Sequence, residues 1–283
     1  MRQKMKHRAA ACLLFLCAAS PALGQALPAA NLSLARTSDS AFDWGFSTGF
    51  DYVTGKYGAK CAVASLSLTC TSTGTTVFEI PATAMLQIQR LRLSATVPYV
   101  DIEGPGRFAG NLGIPVIVAP ASTDTKHRSG LGDITVGAAY ILHREDLVLP
   151  RIEIAGAVKL PSAAKGLGTG KTDYSAQVNL YRTLLPGLTA FGSLGYQWVG
   201  DINTIKLHSG GEATAGMDYK FLSLGAGAML DYRQSAWAGA PAYLTLDPYI
   251  SWRFFGGLGV SIYTTLGLTK SSPSQGFGVR LTI

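Results

Sequence analysis

The chain has 283 residues, 47% hydrophobic and 14% charged, with 33 glycines and a mean hydropathy of +0.22. A water-solvated domain carries about 25% charged residues and about 7% glycine, so the composition excludes an ordinary soluble globule. No stretch beyond the first twenty residues approaches the roughly 18 consecutive apolar residues of a membrane-spanning helix, which excludes a helical membrane protein.

The N-terminus reads as a cleaved secretory signal over residues 1–24. Arg2, Lys4, Lys6 and Arg8 precede an apolar run at 9–19, and Ala22-Leu23-Gly24 offers small residues to a signal peptidase. Removing those four basic residues lowers the formal charge from +7 to +3, and the mature chain has neither a basic run nor a phosphate-binding loop; nucleic acid is therefore not an expected partner. Residues 25–41 form a short periplasmic segment, too short for the plug of an energised transporter.

From residue 42 the signal is period two, the mark of strands with two unlike faces. Alternation predicts strands near 42–54, 76–88, 91–102, 131–142, 149–160, 172–184, 188–199, 208–220, 222–233, 242–254, 257–269 and 274–283. In residues 133–142, Ile134, Val136, Ala138, Tyr140 and Leu142 share one face, while Asp133, Thr135, Gly137 and Ala139 share the other. Connections alternate short and long: Gln89-Arg90, Pro186-Gly187 and Gly256-Gly257 are tight, whereas 55–75, 103–130, 161–171 and 200–207 are long. Outer-membrane barrels show this asymmetry, with short periplasmic turns and longer outer loops.

The expected fold class is therefore all-β, a closed antiparallel transmembrane barrel of about 12 strands over residues 42–283. A soluble sandwich also alternates, but here the less apolar face holds glycine, serine, threonine and scattered charges, which make a poor dry core. Trp44, Tyr52, Tyr99, Tyr140, Tyr174, Trp198, Tyr232, Trp252 and Phe254 fall near strand ends, where an interfacial girdle would place them. Closure follows from hydrogen bonding, since lipid satisfies no open sheet edge. The last strand, with Phe277, Val279, Leu281 and Ile283 on one face, resembles a barrel insertion signal for the assembly machinery, although Ile283 stands where an aromatic is usual. Pro98 and Pro248 each predict a bulge, because a strand proline donates no ladder hydrogen bond.

The alternation assigns Asp43, Asp51, Glu79, Arg92, Asp133, Arg151, Glu153, Lys159, Asp173, Glu212, Asp231, Arg233, Asp247, Arg253 and Arg280 to the lumen. Charges of both signs in a narrow bore either pair or line a wet path that selects solutes. Glycines and serines between them are expected to keep the bore from filling. In the 103–130 loop, Ile114, Val116, Ile117 and Val118 make an apolar stretch outside the membrane, a candidate contact surface for a hydrophobic solute. Cys61 and Cys70, nine positions apart in an exported chain, are a candidate disulfide; free thiols are the alternative.

No catalytic constellation stands out. The mature histidines are His127, His143 and His208, with Ser129 and Ser209 as neighbours, and no His/Cys/Asp spacing matches a metal-ligand set. Neither cofactor nor metal is expected, and the sequence does not indicate whether barrels associate.

Ser129–Tyr140 (SGLGDITVGAAY), Gly156–Pro161 (GAVKLP) and Leu167–Tyr174 (LGTGKTDY) resemble the strand-and-loop signature of the outer-membrane family named for the meta pathway of phenol degradation. The resemblance implies a barrel and passive passage of small hydrophobic or aromatic compounds, with outer-membrane lipid around it. It carries no catalytic residue. The alternatives are a non-transporting structural or surface-interaction barrel and, less favoured, an outer-membrane hydrolase.

Overall fold

The computed structural model describes residues 42–55, 59–64, 67–72, 74–105, 107–111, 114–118, 125–200, 207–235, 241–254 and 257–283. Side chains at 59–72, 105–111, 114–118, 125 and 126 are outside that description. The expected signal at 1–24 and segment at 25–41 also lie outside the described residues.

All regular elements described are strands: β1 (Phe42–Gly55), β2 (Ala59–Ala64), β3 (Ser67–Ser72), β4 (Thr75–Ile88), β5 (Leu91–Pro105), β6 (Arg107–Asn111), β7 (Ile114–Val118), β8 (Thr125–Leu131) and β9 (Thr135–His143). The second half continues with β10 (Arg151–Lys159), β11 (Asp173–Leu185), β12 (Leu188–Trp198), β13 (Gly210–Phe221), β14 (Leu224–Arg233), β15 (Tyr243–Arg253), β16 (Gly259–Gly267) and β17 (Gln275–Thr282). Twelve of them close an antiparallel ring in the order β1, β4, β5, β9, β10 and onward to β17, with β17 pairing back onto β1. Closure is continuous from Ser47 opposite Thr282 to Thr54 opposite Gln275. β2 pairs with β3, and β6 with β7, as separate hairpins within the long connections.

Outward positions are apolar and exposed: Val136, Tyr140, Ile154, Tyr174, Val178 and Leu180 among them, as expected for a wall solvated by hydrocarbon. Trp44, Trp252 and Phe254 ring the end with tight turns, and Tyr99, Tyr174, Trp198 and Tyr232 the end with long loops. Leu224, opposite Trp252, and Tyr232 are eight residue steps apart; at about 3.3 Å each and a tilt near 40°, the girdles stand roughly 20 Å apart.

The prolines behave unequally. β5 keeps one register with β9 down to Thr96 opposite Thr135, then resumes with β8 at Tyr99 opposite Leu131, so three steps on β5 face four on its partner. The expected bulge at Pro98 thus appears on the neighbouring strand, where Gly132 N–H donates to the Pro98 carbonyl at 2.8 Å. Pro248 corrects the expectation. It pairs with Ala228 without a shift, and the β15–β16 ladder only skips Asp247 and Pro248 before resuming unchanged. A missing donor facing one neighbour costs a rung there, not the register.

Candidate functional site

The barrel interior holds the candidate residues, and most of its charges are paired. Arg92 meets Glu153 at 2.6 Å, Arg151 meets the same carboxylate at 2.9 Å, and Asn179 donates to it at 3.1 Å. Gln177 donates to Asn179, and the Arg151 guanidinium lies 5.4 Å from the centre of the Tyr181 ring. Nearer the loop end, Lys159 bridges Asp133 at 3.0 Å and Asp173 at 2.8 Å, with Thr169 at 3.1 Å. Arg233 meets Asp231 at 3.2 Å, Glu212 stands opposite Arg233 in the register, and Asp247 accepts from Thr245. Arg280, fully buried, meets Asp51 at 2.8 Å and donates to the Tyr263 hydroxyl at 3.2 Å. Glu79 is buried opposite Asp51. Asp43 and Arg253 are half-buried at the turn end, where Asp43 accepts its neighbour's Trp44 N–H.

At three positions glycine does not leave the bore open. Phe191 faces Gly216, Tyr249 faces Gly227 and Tyr263 faces Gly278 in direct cross-strand register. A Cβ on any of those glycines would collide with the ring opposite. Each glycine therefore seats an inward aromatic flat against the wall. Periodicity puts most bulk outside and does not say how an inward ring such as Tyr249 fits; glycine opposite an inward aromatic in a neighbouring strand is the signal.

A second sector of the inner wall is apolar. Val53, Val77 and Ile102 stand level on β1, β4 and β5; the next inward row is Asp51, Glu79 and Val100, and the paired prolines Pro81 and Pro98 lie one row further in. Leu167 packs into this cluster from the loop after β10, with Ala163 against it. That loop takes over where β10 stops: Ala164 N–H donates to the Leu131 carbonyl, Ser162 Oγ accepts Ile134 N–H, and Asp133 accepts Ala163 N–H at 2.9 Å. Burying a leucine contributes about 1.5–3 kcal/mol, enough to hold a short loop in place. The loop seen entering the mouth is thus the one at 161–171. For the 103–130 loop, β6 and β7 pair with Ala109 opposite Val116; the side chains of Ile114, Val116, Ile117 and Val118 lie outside the described residues.

Cys61 stands opposite Cys70 in the β2–β3 register, their side chains likewise outside the description. His127 contacts Asp101 at 2.9 Å on the outer wall and His143 contacts Asp146 at 3.2 Å at the turn end. Ser129 follows His127 at the same face of β8, opposite Asp101. No group of three or more possible metal ligands occurs among the described residues. An open depression over Ala138, Gly156 and Ala176, between Tyr140 and Tyr196, is a dent in the lipid-facing wall.

The family model described as "Putative MetA-pathway of phenol degradation" matches residues 53–283. The chain belongs to this family. An outer membrane channel from Pseudomonas putida F1 shares the fold at a TM-score of 0.62 and 13% identity, over 87% of this chain and 97% of the other. The CymD monoaromatic hydrocarbon channel (TM-score 0.48, 12% identity, 94% of this chain and 93% of that one) and a Pseudomonas aeruginosa FadL homologue (0.47, 11%, 95% and 94%) are more distant likenesses. No curated protein matches the chain. The barrel is thus of the outer-membrane type, and its expected class stands.

Proposed function

We propose that this barrel carries small hydrophobic compounds, aromatic ones above all, passively across the outer membrane. The observation that supports this best is the apolar inner sector of Val53, Val77, Val100 and Ile102, gathered on three adjacent strands at the loop end of a wall that elsewhere carries polar side chains and aromatic rings. A water-conducting pore has no use for such a surface, whereas a hydrophobic solute crossing the wall loses water there and gains contact. The family's description with phenol degradation and the channel named for the Pseudomonas putida relative agree with this reading.

In this reading the signal is cleaved, the tight turns and both termini face the periplasm, β17 is read by the insertion machinery, and the paired interior charges narrow the path and exclude ions. Ile114, Val116, Ile117 and Val118 offer a first apolar contact outside; replacing Val116 and Val118 with serine is expected to slow uptake. The test is accumulation of radiolabelled toluene by cells lacking general porins, with and without the barrel. Faster uptake that a protonophore leaves unchanged is expected; equal uptake would favour the second reading, a structural barrel. That reading draws on one observation, the near-complete burial of interior side chains such as Asp173, Asn179, Asp247 and Arg280.

A further inference from the structure

From the placement of Leu167 we infer that the apolar inner sector is a binding site for one flat, single-ring apolar solute, and that Leu167 is a built-in stopper occupying it. The inference rests on the proposed function and deepens it.

Leu167 is 1% exposed, the one fully buried side chain in a loop whose Pro161, Ser162, Ala164, Lys165 and Gly170 are exposed. A polar loop that sinks a single leucine into a barrel is not building a core of its own. The site that receives it is made by the wall: Val53, Val77, Val100 and Ile102 supply the sides. Gly130, opposite Val100 on β8, leaves the space that the leucine tip fills, with Leu167 Cδ1 only 3.3 Å from where a Cβ on Gly130 would stand. The sides of the site thus come from the wall and not from the loop, and what fills it is an isobutyl group, somewhat smaller than a single aromatic ring.

The loop is also divided into a fixed stem and a movable tip. Asp133 and Ser162 fasten the stem at Ala163 N–H and Ile134 N–H, and Lys159 adds an ion pair to Asp133. Beyond the stem, Gly166 at φ +88° and Gly170 at φ +68° bracket Leu167. These left-handed conformations are strained for other residues and free for glycine, so the tip can change course at both ends once two bonds break, Leu167 N–H to the Ala164 carbonyl at 2.9 Å and Lys159 Nζ to Thr169 Oγ1 at 3.1 Å. Withdrawal of Leu167 opens the site, and a solute that binds there competes with the leucine.

Such competition weakens apparent affinity by the fraction of time the site is open, so removing the stopper should tighten binding by about tenfold or more. The test is calorimetric titration of purified, folded barrel with phenol, beside radiolabelled toluene uptake. Leu167→Ala is expected to bind phenol at least tenfold tighter than wild type, and Leu167→Trp more weakly. Adding Ile102→Asn to Leu167→Ala should remove the gain, because it puts a polar group in the wall of the site. Should Leu167→Ala fail to fold, Leu167→Cys supplies the answer: its alkylation, resolved by peptide mass, should accelerate severalfold when phenol is added. Wild-type uptake with no gain in Leu167→Ala, or alkylation unmoved by phenol, overturns the stopper and leaves the channel reading standing. Neither uptake nor binding in any variant overturns both.

Discussion

Two connections of this barrel are fastened by the same chemistry and put their leucines to opposite ends. At the turn end, Asp146 accepts the N–H groups of Val148 and Leu149 at 2.8 and 2.7 Å, while Arg182 on β11 donates to the carbonyls of Asp146, Leu147 and Leu149. At the loop end, Asp133 accepts Ala163 N–H and pairs with Lys159. The first connection displays Leu147 at 95% and Val148 at 82% exposure, whereas the second sinks Leu167 into the bore. An aspartate on backbone N–H groups fixes a loop's course in both. Where the apolar side chain goes follows the wall: beside Gly130 the 161–171 loop meets space that takes Leu167 among Val100 and Ile102.

The ion pairs differ in environment, and the difference sets the expected energies. Lys159 and Asp133 are almost fully buried, so Asp133→Ala removes one of the two carboxylates on a buried ammonium, leaving Asp173, and frees the backbone donor of Ala163. The expected loss is about 2–3 kcal/mol, read from the denaturant midpoint of the refolded barrel. A loss below about 1 kcal/mol would mean that water reaches this cluster and the contrast fails. A third loop sharpens the scale. The register of Cys61 opposite Cys70 suits a covalent clasp, for which a protein lighter by two hydrogens under oxidising conditions and a reduction cost of about 2–3 kcal/mol are expected. Unchanged stability with reductant would make the β2–β3 hairpin self-sufficient.

Arg182 comes next. It is about a third exposed and its carboxylate partner Glu145 is 3.8 Å away, so its hold on 144–150 comes mainly from hydrogen bonds to carbonyls. Arg182→Ala is expected to cost about 1–2 kcal/mol and to make 144–150 a protease site. The burial of Leu167, read by alkylation of Leu167→Cys in the same background, should be unaffected. If both loops loosen together, they are one cooperative unit and the comparison collapses.

How much of this was legible in the sequence follows the same division between wall and contents. Outward residues such as Ile134, Val136 and Tyr140 announced themselves because hydrocarbon selects one face of every strand, and a period of two survives without knowing which strands are neighbours. The inward rings did not. Tyr249 occupies a lumen position by parity, but its tolerance there depends on Gly227 one strand away, and a single sequence carries no register. Leu167 sits in a glycine-rich stretch that reads as loop, and its burial depends on Gly130, distant in the chain. Even the prolines divide this way: Pro98 and Pro248 look alike in sequence, yet only the strand beside Pro98 holds an extra residue.

The smallest expected effect is a pH dependence confined to the turn end. The N–H groups of Leu149 and then Val148 hold the Asp146 carboxyl below the usual carboxylate range, with His143 and Arg182 adding to the effect against a smaller opposing contribution from burial. A carboxyl depressed in the folded state stabilises it at every pH above the unfolded value of about 4, and that contribution fades as pH falls through the folded value. Because Asp146 is solvated, the change should register as local opening and not as unfolding of the barrel. Amide exchange at Val148 and Leu149 is therefore expected to gain protection less steeply than its intrinsic rate predicts as pH drops below 4, while the amides of Ala163 and Leu167 follow theirs. Asp146→Asn should already show the low-pH behaviour at neutrality. If it does not, the charge on Asp146 is incidental, and Arg182 alone carries the clamp.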